Sequence, residues 1–173
     1  GFDDEPVAVR PVFPADPLLA RAKVIQYRLD QGVVPHDAEV NPADGLVYTV
    51  DQGADHMAVT DLANGRTRYI PAPAAGSPPG GKFVRMGQPP LFNMLVARGP
   101  HSMAFGPDGK VYTTDAFAGE IGVFNPKAMA WEPPLPLGGD SLYPHTIRFD
   151  RNGYAWFTIA YSDQIGRLDP RTG

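Results

Sequence analysis

Three Pro-His pairs, Pro35-His36, Pro100-His101 and Pro144-His145, stand in a chain that holds one other histidine, His56. Imidazole titrates near neutrality and its neutral nitrogen binds divalent ions, so each is a candidate general base or metal ligand. Asp51 and Asp115 follow the first two histidines at matching places, where the third copy has Ile159. A carboxylate there could orient a histidine or bind a cation. The same acid at the start of a turn accepts backbone N–H bonds, which is the commoner use. The histidines carry a similar alternative, in which each caps a loop or bonds the backbone of a neighbouring element. A residue present in every copy is more naturally architectural than catalytic. Tyr143, directly before Pro144-His145, adds a ring that could stack on a ligand. His56 is matched by Glu120 and Gln164 in the other copies and reads as exposed.

Elements that repeat must position these residues. Aligned on Pro-His, the copies coincide at Val40, Phe105 and Phe149, then at the turns Asp44-Gly45, Asp108-Gly109 and Asn152-Gly153. They coincide again at Tyr48, Tyr112 and Trp156, at Met57, Ile121 and Ile165, and at Asp61, Asn125 and Asp169. After each Pro-His, alternate residues are apolar, the period of a strand. Asp-Gly or Asn-Gly then supplies a tight hairpin turn, and a β-branched, aromatic strand follows. A third strand comes next, at 57–60, 121–124 and 165–168, and "TRYIPAP" after the first copy supplies a fourth. Tyr48, Tyr112 and Trp156 read as packing between copies. Helical periodicity is confined to one candidate turn at 18–23.

Four antiparallel strands recurring at 44 residues, the spacing from His101 to His145, fit an all-β chain built of β-propeller blades. The first interval, from His36 to His101, is 65 residues. The excess is read as a loop over 74–99, long enough to be functional and placed to cover the site as a lid. In an up-and-down blade, the start of the first strand and the end of the second lie on one side of the disc. His36, His101 and His145 should therefore ring the channel mouth, with Asp51 and Asp115 on the same face. The domain division is an N-terminal extension, 1–23, and a partial propeller, 24–173. "KVIQYRL" (Lys23 to Leu29) reads as the outer strand of a blade whose inner strands are missing or come from the other end. Closed propellers have four or more blades, so another chain or further blades are expected to complete the ring.

Composition removes several classes. The net charge is −4 with no basic run, which argues against nucleic acid as a partner. Cysteine is absent, so disulfides, thiolate metal sites and a cysteine nucleophile are excluded within these residues. No apolar run is long enough for a membrane-spanning helix. The start "GFDDEP" carries no signal-peptide pattern and reads as a processed end or an arbitrary cut. That start and the Pro-rich stretches "SPPGG", "QPP" and "EPPLPL" favour a periplasmic or secreted protein with extended segments that pack on another chain.

The Pro-His openings, the strands "DGKVYTTD" and "NGYAWFTI" and the closing "QIGRLDPRTG" resemble the repeats of the streptogramin lyase, or virginiamycin B lyase-like, family over residues 24–173. The resemblance implies a β-propeller and, for the enzymes of that family, magnesium-assisted elimination that opens a cyclic depsipeptide. It maps the family's histidines onto His101 and His145, which would be metal ligands and catalytic groups, and its strand-end acid onto Asp115. The glutamate that the family carries two residues before a histidine falls at Val34, Gly99 or Tyr143, none of them acidic. Two functions follow. One is a non-catalytic binding or scaffold propeller taking a small molecule or peptide at the channel mouth, with His36, Asp51 and Tyr143 as binding residues. The alternative is a metal-assisted C–O lyase acting through His101, His145 and Asp115.

Overall fold

The computed structural model describes residues 21–74, 77–89 and 96–172. Glycine sets the turns that divide the strands. Gly45, Gly109 and Gly153 hold φ of 73°, 77° and 83°, a region open to glycine without steric cost. The turn acids then fasten the aromatic of the next strand: Tyr48 donates its hydroxyl to Asp44 at 2.9 Å, Tyr112 to Asp108 at 3.0 Å, and the Trp156 indole N–H to Asp150 at 2.9 Å.

The first sheet runs β1 (Pro35–Val40), β2 (Val47–Asp51), β3 (His56–Asp61) and β4 (Arg66–Pro71), each pairing antiparallel with the next. A short helix, α1 (Gly81–Arg85), follows. The second sheet is β5 (Pro100–Phe105), β6 (Val111–Asp115), β7 (Glu120–Asn125) and β8 (Ala130–Pro136). The third, β9 (Pro144–Phe149), β10 (Ala155–Ile159) and β11 (Gln164–Leu168), has three strands among the described residues.

The sheets bury alternate residues against one another. Tyr48, Val50, Met57 and Val59 of the first sheet meet Met103, Val111 and Phe124 of the second. Tyr112, Ile121 and Val123 of the second meet Ile147, Ala155, Phe157 and Leu168 of the third. Each such side chain contributes about 1.5–3 kcal/mol of burial, so these two seams hold the sheets together.

Four sequence expectations change. "EPPLPL" is not a free surface segment but lies largely in β8; its prolines lack an N–H, which the outer edge of a sheet tolerates. The 74–99 insertion contains α1 where a structureless loop was expected. Lys23–Leu29 forms no strand within a single chain. Trp156 is exposed, unlike Tyr48 and Tyr112, because no sheet of the described residues lies over that face of β10. The candidate turn at 18–23 falls mostly outside the described residues. Phe124 has no solvent exposure and sits at the centre of the first seam. Phe124→Ala should cost roughly 3–5 kcal/mol in urea unfolding, with the strand signal in circular dichroism retained.

Candidate functional site

A backbone irregularity sets the direction of each histidine. In β1, Pro35 opposes Asp51 and Asp37 opposes Val50, so His36 is the extra residue of a bulge. His101 has the same place between Pro100 and Ser102. In β9 the register shifts between Pro144 and Ile147, which contains His145. Bulges re-aim side chains, and these three bring their imidazoles together at the ends of adjacent inner strands. The His36 and His101 ring centroids are 3.6 Å apart, and those of His101 and His145 are 3.9 Å apart.

The central ring is the most enclosed. His101 is buried and its Nδ1 has no hydrogen-bond partner, whereas the Nδ1 of His145 lies 3.0 Å from the Thr146 hydroxyl. Burial first, then the neighbouring His36 and His145, push His101 down to about 3, so it is neutral at physiological pH. His145 is lowered as well, by burial first and then by His36.

Tyr143 joins this group. Its ring lies 5.8 Å from His101 and 6.1 Å from His145, and its hydroxyl accepts from the Gln52 side chain at 2.9 Å. Its φ of 61° is left-handed, a conformation that costs a tyrosine roughly 1–3 kcal/mol and that clusters at functional sites. The described part of the insertion docks here too. Phe83 of α1 is fully buried with its ring 5.3 Å from Tyr143 and 4.9 Å from Tyr161, and Phe117 packs in the same cluster.

The two strand-end acids turn away from this group. Asp51 accepts the backbone N–H groups of Val33 at 2.8 Å, Val34 at 2.9 Å and Gly53 at 2.9 Å. Asp115, fully buried, accepts from Arg98 Nε at 2.8 Å, from Arg98 Nη2 and from the Thr113 hydroxyl at 2.7 Å. Arg98 also lies 3.2 Å from Glu120 and stacks on Trp131 with its guanidinium carbon 4.9 Å from the ring centroid. Burial, then the charge of Asp115, raises the Glu120 carboxyl.

The structure thus unites His36, His101, His145 and Tyr143, and separates Asp51 and Asp115 from them. His56 is buried, not exposed: it sits 3.9 Å from Asp51, and the Tyr69 ring of the neighbouring β4 covers it. Arg98 and Gln52 carry no sequence signal, since the other copies have different residues at those places; Asp55, which accepts the backbone N–H groups of Ala97, Arg98 and Gly99, is matched by Asp163 in the third copy but by Gly119 in the second, a signal too weak to single it out.

Magnesium takes hard oxygen ligands in octahedral geometry. The mouth offers stacked imidazoles, and the nearby acids are committed to Arg98 and to backbone N–H groups. No group of three or more metal-ligating side chains with suitable geometry occurs among the described residues. The donor set does not suit that ion, and no chemical step is derived through it.

Solved structures place this arrangement. The chain superposes on virginiamycin B lyase from Staphylococcus aureus with a TM-score of 0.60 and 21% identity, over 83% of this chain and 40% of that one. The fold is a partial β-propeller. It matches hydrazine synthase of Kuenenia stuttgartiensis at a TM-score of 0.58 and 13% identity, over 86% and 37% of the two chains. A gluconolactonase from Xanthomonas campestris matches at 0.50 and 12%, over 75% and 36%. No protein-family model matches the chain, and no curated protein matches it. The chain spans about two fifths of the length of the structures it resembles. Their named activities differ, so the likeness carries fold and not reaction.

Two outcomes follow. Arg98→Met leaves Asp115 buried without its countercharge and should cost about 3–5 kcal/mol in urea unfolding, part of it recovered in Arg98→Met/Asp115→Asn. Second, the unfolded chain takes up a proton on His101 near pH 6.5 that the folded chain refuses until about 3. Stability is therefore unaffected by this group above that window and falls as pH drops through it. His101→Gln should flatten the decline in urea midpoint between about pH 6.5 and pH 4.

Proposed function

We propose that this chain is a non-catalytic binding propeller whose channel mouth takes a small molecule or peptide against His36, His101, His145 and Tyr143. One observation carries the reading. Both acids that could have activated a histidine are consumed in structural bonds, Asp51 by backbone N–H groups and Asp115 by Arg98. A neutral, enclosed His101 without a carboxylate bonded to it is a poor general base, because burial and the two neighbouring imidazoles oppose the imidazolium formed on proton abstraction. The same rings make a good binding surface: they are flat and rigid, and the free Nδ1 of His101 seeks a hydrogen-bond partner.

The docked insertion supports this reading. Phe83 fixes Tyr143 from the side of α1, so the mouth is shaped before any ligand arrives, and a preformed surface loses less entropy on binding. Incubation with a streptogramin-type cyclic depsipeptide and magnesium, followed by mass spectrometry, should return the intact ring. A linear product that disappears in His145→Ala, with the thermal transition unchanged, would establish the lyase instead.

A further inference from the structure

A cavity of about 320 Å³ lies beside β8, walled by the chain that leaves β4 and by the start of β7, and its described lining comes wholly from residues 73–134. Blade two departs from blade one here. Whereas β4 pairs with β3 without interruption, β8 sets Leu135 against Ile121 and Glu132 against Val123, so Pro133 and Pro134 bulge together against the single residue Gly122. Bulges re-aim side chains and recur beside active sites. Gly122 stands where blade one has Ala58, and a Cβ on it would lie 2.8 Å from Arg98 Nη2 and 2.8 Å from Asp115 Oδ2. Its bareness admits the guanidinium.

The charges along the wall do not balance. Arg98 gives Nε and Nη2 to Asp115 and directs Nη1 to the Pro73 carbonyl at 3.3 Å. Glu120, 3.2 Å from that Nε, is left over: its carboxylate accepts no hydrogen bond from the described residues, and its side chain keeps 19% exposure to the cavity side. The ammonium of Lys110 is already bonded to Glu132 at 2.8 Å. One guanidinium therefore answers two carboxylates, and a largely buried anion without a donor is unfavourable until a further cation reaches it.

We infer that this cavity binds a primary ammonium ion carried on a short aliphatic stem, with Glu120 taking the ammonium and Trp131, Pro73, Pro133 and Pro134 packing on the stem. The walls select that chemistry. A divalent metal requires several oxygen ligands, and Asp115 and Glu132 are already spent on Arg98 and Lys110. An anion would meet Glu120 as a like charge, and a wholly apolar ligand would bury it without a partner. Trp131 already holds one cation, the Arg98 guanidinium, 4.9 Å from its ring centroid, in keeping with the attraction of an indole for positive charge. The volume sits at the low end of the roughly 300–1,000 Å³ of ligand pockets, a size suited to a stem as long as that of a lysine side chain. A free alkylamine and the lysine of a polypeptide share this chemistry. The site has no lining residue in common with the channel mouth and does not rest on the reading of that mouth.

Calorimetric titration with n-pentylammonium, with Nα-acetyl-lysine N-methylamide and with n-pentanol tests it. Pentylammonium should bind and pentanol should not. Affinity for the blocked lysine that equals or exceeds that for pentylammonium would make a polypeptide lysine the natural ligand, and a preference for pentylammonium would make it a free amine. Glu120→Gln should weaken ammonium binding at least about tenfold without lowering the urea midpoint, since it removes a like charge from beside Asp115. Ala118→Phe, which narrows the cavity from its lining turn and alters no charge, should weaken binding as well. No binding of either amine, binding of pentanol as strong as that of pentylammonium, or full affinity in Glu120→Gln would each overturn the site.

Discussion

The second sheet is apolar on both faces and lies buried between the other two, so the blades of the described chain depend on one another. The constraint follows from period-two alternation in which both phases are hydrophobic, as in β6, where Val111 and Tyr112 point to opposite sides and both are buried. An ordinary antiparallel sheet keeps one wet face. Here the wet positions retreat to turns and outer strands, and the seams between sheets supply most of the burial. The positions of the histidines, the clamp on Asp115 and the docking of α1 all presuppose those seams.

At the mouth, that constraint has a chemical result. Adjacent inner strands approach closely enough that three bulged residues stack, and stacking excludes water from the central imidazole. The same closeness buries Asp115, which then requires Arg98 from the insertion as its partner. A carboxylate so placed serves the join between the insertion and blade two rather than a reacting group, in keeping with the high cost of leaving a buried charge unpaired.

Blade architecture was legible in the sequence because turn glycines, alternation and Pro-His recur at fixed offsets, and repeats amplify a signal that one copy leaves ambiguous. The gathering of the histidines on one face was legible for the same reason. Departures from the repeat were not. Arg98 and Gln52 matter because the other copies lack them, and His56 is buried by the ring of Tyr69 on the next strand, a tertiary contact with no mark at His56 itself. Asp51 and Asp115 show the limit of alignment: they occupy equivalent positions yet bond to backbone N–H groups in one blade and to a guanidinium in the next. The prolines of β8 misled for a physical reason, since a residue that cannot donate suits an outer edge as well as a free segment.

The bond between Gln52 and Tyr143 joins the first blade to the loop that opens the third, passing over the second. By tying blades one and three together across the mouth, it adds a restraint on the angle between them to those that the two seams already impose. The strained backbone of Tyr143 is then the keystone of that restraint: the conformation that costs it energy also holds its ring and hydroxyl where the tie is made.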